Sequence, residues 1–185
     1  PENEVLMTLD GPWNLAFDTL WGGPAKIEFE KLTDWSKRPE EGIKFYSGKA
    51  VYSKTFNIPE SVSSAKTSNI YLNLGKVKNI ASVKLNNKYF GVIWTDPWQV
   101  NISDAIRKGN NKLELTVINL WINRLSGDES EPWDGIENGK WPKWFLNGTG
   151  RPSKRYTFTT HHYYKKGDPL VESGLIGPVR IEILK

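Results

Sequence analysis

Cysteine is missing altogether from the 185 residues, which rules out disulfides, a thiol nucleophile and any thiolate-held metal while leaving the redox compartment open. Histidine is nearly as scarce. The two present, His161 and His162, are adjacent; in an extended segment neighbouring side chains point to opposite faces, so the pair is badly placed to grip one ion and zinc is not expected. No apolar run approaches the roughly 18 residues that a spanning helix requires. The opening Pro1-Glu-Asn-Glu4 has neither the basic nor the apolar region of a signal peptide. The 25 basic and 21 acidic residues are interspersed, giving a formal charge of +4 with no long run of either sign, so neither nucleic acid nor membrane is an expected partner. Nor does any stretch carry the sustained 3.6-residue periodicity of a packed helix, which sets aside the helical and α/β classes. No Ser, Thr or Lys sits in a nucleophile motif, and Gly148-Thr-Gly150 is too short to cradle phosphate.

What the chain has instead is two-residue alternation and many rings: nine Trp, seven Tyr and seven Phe. Val83 and Leu85 alternate with Lys84, Asn86-Asn87 supplies a turn that tolerates positive φ, and Tyr89-Phe90-Gly91 leads back, a β-hairpin signature. Leu113, Leu115 and Val117 alternate with Lys112, Glu114 and Thr116 in the strongest strand candidate. Further strands are expected over Gly11–Asp18, Ala25–Lys31, Tyr46–Ile58, Asn69–Gly75, Tyr156–Thr160 and Pro178–Ile183, with a polar loop over Ser61–Ser68. Ser103–Gly109 carries the one helical signal, about a turn long: a capping serine, an acid early, bases late and a glycine stop. The length suits one buried core. The expected class is all-β, a single antiparallel jelly-roll sandwich over residues 1–185, with residues 1–10 as an N-terminal extension or linker.

Alternation dissolves between Ser126 and Arg151, a long aromatic and acidic loop, and a loop of that length in a compact domain is usually functional or mobile. It holds Trp133, Trp141, Trp144 and Phe145 among Asp128, Glu129, Glu131, Asp134 and Glu137. Flat rings that stack on the C–H face of a sugar, with carboxylates accepting its hydroxyl protons, are what saccharide recognition needs. The same rings could equally pin the loop or dock it on a neighbour. Paired carboxylates also suit glycoside hydrolysis, and acids suit Ca²⁺, although Asp128-Glu-Ser-Glu-Pro-Trp-Asp134 lacks the ligand order of an EF-hand. No cofactor is expected, and a structural Ca²⁺ is the one ion the acids leave open. His161, with Tyr163 and Tyr164, could face a ligand, and Arg124 with Asp128 reads as an anchor at the loop base or a reach toward a ligand hydroxyl. Asn101-Ile-Ser103 and Asn147-Gly-Thr149 match the glycosylation pattern, which matters only where a cell glycosylates.

The order Gly11-Pro-Trp-Asn-Leu-Ala-Phe17, Tyr46–Tyr52, Leu74-Gly75, the Val83–Gly91 hairpin, Pro97-Trp98, Gly109-Asn110, Val117–Arg124, Gly127-Asp128 and Ser173-Gly-Leu-Ile-Gly-Pro-Val179 resembles the galactose-binding-like jelly roll attached to glycoside hydrolases. More narrowly it is similar to the C-terminal sandwich of family 106 α-L-rhamnosidases, and more distantly to the sugar-binding domain of family 2 enzymes. Asn87 stands where that hairpin usually has glycine, and asparagine still tolerates the left-handed conformation. In the resembled enzymes the catalytic carboxylates lie in a separate barrel, and no βα alternation here builds one. The resemblance therefore implies no catalytic residue, no metal ligand, a catalytic domain of the same polypeptide as partner, an oligosaccharide ligand, and a periplasmic or extracellular setting. Trp133, Trp141, Trp144, Tyr163, Tyr164, His161, Arg124 and Asp128 are the candidate carbohydrate-binding or docking residues. Three roles stay open: accessory sandwich, autonomous carbohydrate-binding module, or a small intact hydrolase using the loop carboxylates.

Overall fold

The computed structural model describes residues 3–59 and 69–184, so the polar loop expected over Ser61–Ser68 lies outside the described residues. The strands run β1 (Glu4–Thr8), β2 (Trp13–Phe17), β3 (Ile27–Phe29), β4 (Lys49–Ile58), β5 (Ile70–Asn73), β6 (Lys76–Lys78), β7 (Ile80–Leu85), β8 (Lys88–Ile93), β9 (Gln99–Asn101), β10 (Gly109–Ile118), β11 (Gly174–Gly177) and β12 (Arg180–Ile183). Three short helices, α1 (Glu41–Lys44), α2 (Ile122–Asp128) and α3 (Lys143–Leu146), lie in the connections. Among the described residues no helix is long and apolar enough to cross a membrane.

One sheet has the order β3-β2-β4-β10-β7-β8 and the other β1-β12-β5-β9, with β11 and β6 as a short third pair. The long central ladder pairs β10 with β4 from Gly109↔Ile58 to Ile118↔Lys49. Leu113, Leu115 and Val117 of β10, Ala50 and Tyr52 of β4, and Ala81, Val83 and Leu85 of β7 turn inward and meet Ile70, Leu72 and Ile181 from the second sheet. This is the antiparallel jelly-roll β-sandwich that period-2 alternation predicts. The β7–β8 hairpin turns on Asn86 and Asn87 at φ 49° and 70°. Asparagine does more here than tolerate the turn. Asn86 donates to Ala105 O at 2.8 Å and to Asn111 Oδ1 at 2.7 Å, and accepts from Lys112 N at 2.9 Å, which locks the hairpin to the start of β10.

Four expectations are corrected. Residues 4–8 of the supposed linker form β1, which pairs with β12 from Glu4↔Ile183 to Thr8↔Arg180 and gives the second sheet its outer strand. Ser103–Gly109 forms no helix: the Ser103 hydroxyl accepts from Ile70 N at 2.9 Å on the neighbouring strand, so the cap is used across the sheet and a single turn remains. Ser126–Asp128 belongs to α2 and not to the loop. Tyr156–Thr160 keeps its alternation, with Thr157 buried between exposed Tyr156 and Phe158, but is not a strand. The Asp128 carboxylate takes the Tyr156 and Thr157 N–H groups that a ladder would have used.

The core is organised around Trp35, fully buried and carried by a 3₁₀ turn, Trp35–Lys37. Its ring lies parallel to Tyr52 at 6.4 Å and edge-on to Phe17 and Tyr46. Its Nε1–H donates to the Tyr52 hydroxyl at 2.6 Å, and that oxygen also accepts from Leu175 N at 3.1 Å, tying β11 to the middle of β4. Burial holds the Tyr52 hydroxyl well above the ordinary phenol range, so it stays protonated. Gly174, at φ 92°, leaves the space the indole fills, since a Cβ there would overlap Trp35. Tyr52→Phe leaves two buried N–H donors without an acceptor, at about 1–3 kcal/mol each. The expected outcome is a loss of about 2–6 kcal/mol in urea unfolding with an unchanged m-value; a loss below about 1 kcal/mol would show that the hydroxyl is not the tie.

Candidate functional site

Between β10 and β11 the chain makes a long excursion, residues 119–173, and every feature with functional character lies on or against it. Its base is α2. Asn123, fully buried, faces the returning chain as an amide pair, donating to Val171 O at 2.8 Å and accepting from Val171 N at 2.9 Å. Four residues on from Arg124, Asp128 is 2% exposed and its Oδ2 accepts from Tyr156 N, Thr157 N and Thr157 Oγ1 at 2.9, 2.7 and 2.7 Å. Arg124 Nη1 stands 3.8 Å from Asp128 Oδ1, while Nη2 donates to Trp21 O at 3.2 Å and the guanidinium lies over the Tyr156 ring at 4.3 Å. The pair sits at the loop base, an anchor first of all.

Two further charged clamps shape the excursion. Arg151 grips Asp134 through Nε at 2.5 Å and Nη2 at 2.8 Å, and Ser153 Oγ donates to the same carboxylate at 2.5 Å. Burial pushes the Asp134 carboxyl up, but the Arg151 fork and the Ser153 hydroxyl outweigh it and hold the group below the usual carboxylate range. Glu129 is held low in the same way: burial opposes ionisation, and Arg155 at 2.5 Å with His162 Nδ1 at 3.0 Å prevails. Asp128, Glu129 and Asp134 thus face N–H, hydroxyl or guanidinium partners. Among the described residues no group of three or more His, Asp or Glu is arranged to hold a metal ion.

On this frame stand the rings. Trp133, Trp141 and Trp144 line one cleft of about 450 Å³ together with Glu137, Asn138 and Lys140. Trp144 is half-buried and donates Nε1–H to Asp134 O at 2.8 Å; Trp133, also half-buried, packs on His162 at 3.7 Å between ring centroids. Trp141 faces outward, 47% exposed, in a parallel stack with Phe158 at 5.7 Å and Phe145 at 5.1 Å. Phe158 continues the apolar surface into a groove of about 310 Å³ lined by Trp21, Trp121, Leu125 and Tyr156, where Trp21 and Trp121 meet edge-to-face at 5.2 Å. The structure therefore brings the three loop tryptophans together. It does not bring the rest to them: Arg124 and Asp128 line a separate cavity, His161 is exposed and edge-on to the exposed Tyr163, and Tyr164 is half-buried. Phe158, Trp21 and Trp121 escaped the sequence reading as site residues. For Trp21 and Trp121 the signal is position, since each is a ring beside a turn or strand end, whereas Phe158 lies within the segment Tyr156–Thr160 that alternation marks as a strand.

The antiparallel sandwich is consistent with a galactose-binding-like domain. The chain belongs to the family described as glycosyl hydrolase 2 galactose-binding domain-like, which matches residues 34–159. A putative beta-glucuronidase of Formosa agariphila is 41% identical over 180 residues, covering 95% of this chain and 15% of the relative. The rhamnosidase structure from Novosphingobium sp. PP1Y superposes with a TM-score of 0.80 at 34% identity, over 98% of this chain and 15% of that one. The Ruminococcus gnavus β-glucuronidase shares the fold, with a TM-score of 0.58 at 18% identity over 100% of this chain and 30% of its own. The chain thus spans about 15% of the length of the first two relatives.

The Asp134 clamp gives a pH prediction with a definite sign. A carboxyl whose folded pKa is depressed stabilises the fold above its unfolded value, near 3.9, and that contribution is lost as pH falls through the folded value. Asp134→Asn should cost about 2–3 kcal/mol at pH 7, below the full value for a buried pair because the Arg151 side chain is 23% exposed. The variant should also lose less stability than the parent between pH 5 and pH 2, as read by urea unfolding at each pH. Parallel pH profiles for the two proteins would show that the clamp does not set this dependence.

Proposed function

We propose that this chain is a non-catalytic accessory sandwich of a larger, exported glycoside hydrolase of the α-L-rhamnosidase type, seated on the catalytic domain of the same polypeptide through the aromatic face of its long excursion. The observation that carries the reading is the continuous run of exposed rings from Trp121 (49% exposed) through Phe158 (36%) to Trp141 (47%) and Phe145 (52%). Soluble proteins seldom leave contiguous apolar patches of this kind without a partner. The partner is assigned to the same polypeptide because this chain corresponds to so small a share of the relatives it matches. The loop acids support a non-catalytic role. Asp128, Glu129 and Asp134 are each held by several donors, and a carboxylate fixed in that way is a poor general acid, base or nucleophile. The preference for rhamnosidase is supported by the resemblance of Trp121-Ile-Asn-Arg124 and Ser173–Val179 and by the TM-score of 0.80 to the Novosphingobium enzyme, while the 41% identity to the putative beta-glucuronidase of Formosa agariphila points the other way.

A second reading has its own observation: the Trp133, Trp141 and Trp144 cleft carries Glu137, Asn138 and Lys140 on its walls, the polar complement of a sugar platform. If that cleft bound oligosaccharides, Trp141→Ala would cost ~1–3 kcal/mol by analogy with stacking on aromatic rings.

For the leading reading, the purified chain should not hydrolyse aryl α-L-rhamnosides. It should capture a separately produced catalytic domain of its parent enzyme, and Trp121→Ser with Phe158→Ser should weaken that capture by at least about tenfold, roughly 1.4 kcal/mol, without lowering the unfolding temperature. Turnover that purifies with the chain and is lost in Glu131→Gln would hand the function to the loop carboxylates. Capture indifferent to both ring substitutions would remove the docking face.

A further inference from the structure

The groove of about 310 Å³ on the aromatic face is one-sided in its hydrogen-bonding chemistry. Its lining is Trp21, Trp121, Leu125, Tyr156, Thr157 and Phe158, without a carboxylate, amide or imidazole, and the Thr157 hydroxyl is already spent on Asp128 at 2.7 Å. Indole N–H groups donate and do not accept. Among the described residues neither the Trp21 nor the Trp121 Nε1–H has a partner, nor does the Tyr156 hydroxyl. The Trp21 nitrogen is open to solvent, unlike the sealed indole nitrogens of Trp13 and Trp133. The rings are also held in place. Trp21 and Trp121 meet with their planes 79° apart and so form two walls of a corner. Trp21 is carried by a 3₁₀ turn, Thr19–Trp21, whose start is capped by Asp18 Oδ1 accepting from Leu20 N at 3.0 Å. The Tyr156 hydroxyl lies against that same turn, since a Cβ on Gly22 would come within 2.4 Å of it.

A corner of rings edged by donors suits a guest that brings flat C–H surface and free acceptor oxygens and few donors of its own. The carbonyls of a helix or of a paired strand are spent on their own backbone partners. A saccharide brings several hydroxyl protons, and the phenol alone among these side chains is free to accept one. A prolyl segment meets every requirement. Polyproline II has no internal hydrogen bonds, so its carbonyls are free; proline has no N–H to leave unpaired; and its ring is an apolar face on a backbone already restricted before binding. We propose that this groove docks an extended, proline-bearing segment of the parent polypeptide, with prolyl rings in the corner between Trp21 and Trp121 and backbone carbonyls accepting from the indole N–H groups and the Tyr156 hydroxyl. The inference rests on the reading of this face as a docking surface and names the element that the face receives. The first two relatives are long enough that this chain spans about 15% of each, which leaves ample polypeptide to supply such a segment.

The test is titration of the purified chain with acetyl-decaproline amide, followed by tryptophan fluorescence and calorimetry, beside a Gly-Ser peptide of equal length. Decaproline should bind saturably and the Gly-Ser peptide should not. Trp121→Ala, at a half-exposed ring where folding is not at stake, should weaken binding about tenfold or more. Trp21→Phe keeps a ring and removes the donor, and should weaken it about threefold or more. Trp94→Ala, at an exposed ring on the β8–β9 connection, should leave it unchanged. Overlapping peptides covering the rest of the parent polypeptide then identify the segment, and the strongest binder should carry prolines and be displaced by decaproline. No saturable signal into the millimolar range overturns the proposal, as do equal binding of the two peptides, an affinity unmoved in either groove variant, binding lost in Trp94→Ala, or a strongest parent peptide without proline. Decaproline that fails to bind while the catalytic domain is still captured removes this inference and leaves the docking face standing. Decaproline that binds while capture fails removes docking on the catalytic domain and leaves the chemistry of the groove standing.

Discussion

Residues 119–173 leave the sandwich and return to it with no covalent staple, because the chain has no cysteine. Their geometry rests on a few buried polar side chains rooted in α2, with Asp128 foremost. That carboxylate accepts three hydrogen bonds from Tyr156 and Thr157 while 2% exposed, and Asn123 closes the far end against Val171. Charge-assisted bonds of this type are roughly twice as strong as neutral ones, and breaking one side leaves a buried charge unpaired. The placement of Tyr156 and Phe158, and hence both the aromatic face and the wall of the Arg124 cavity, follows from this one carboxylate.

The same requirement explains why a loop rich in acids is poor in reactive ones. An excursion of this length needs internal ties to offset its ordering entropy. Asp128, Glu129 and Asp134 supply them, the latter two with their carboxyls held low by Arg155 with His162 and by Arg151 with Ser153. What is left uncommitted is the ring surface and Glu131, whose carboxylate has only a 3.4 Å contact from Lys154 N. The loop thus has structural acids inside and recognition groups outside.

Much of the fold was legible because alternation is a direct consequence of the pleat. Leu113, Leu115 and Val117 could face only one way once the strand existed, and Asn86-Asn87 could only turn. What misled was competition for the same backbone groups. The Ser103 hydroxyl has the chemistry of a helix cap, yet Ile70 N lies across the sheet within reach; Tyr156–Thr160 has the pattern of a strand, yet a buried carboxylate takes its N–H groups. Both outcomes turn on a partner distant in sequence, which local pattern cannot register. The tryptophans of the loop were legible as a cluster because composition alone sets them apart. Their division between a cleft and a face was not, since it depends on Phe158 arriving from beyond the loop to stack on Trp141.

Fold and function separate cleanly in such a sandwich. The Ruminococcus gnavus enzyme shares the architecture at 18% identity, so the fold by itself carries little about what the loops contact. The internal sheet residues answer to packing. A change in Leu115 or Val83 would alter stability before it altered any surface. The excursion answers to partners, and here two unlike surfaces share one anchor: α2 sends Asp128 to fix the return of the chain, while Arg124, one helical turn earlier, is left short of acceptors and lines the cavity. All three Tyr156 and Thr157 donors fall on Asp128 Oδ2, and the carboxylate orientation they fix leaves Oδ1 3.8 Å from Arg124 Nη1, beyond hydrogen-bond reach. The guanidinium is held instead by Trp21 O at 3.2 Å and by the face of the Tyr156 ring at 4.3 Å, so closing the loop fixes the arginine through its neighbours and not through its nearest carboxylate.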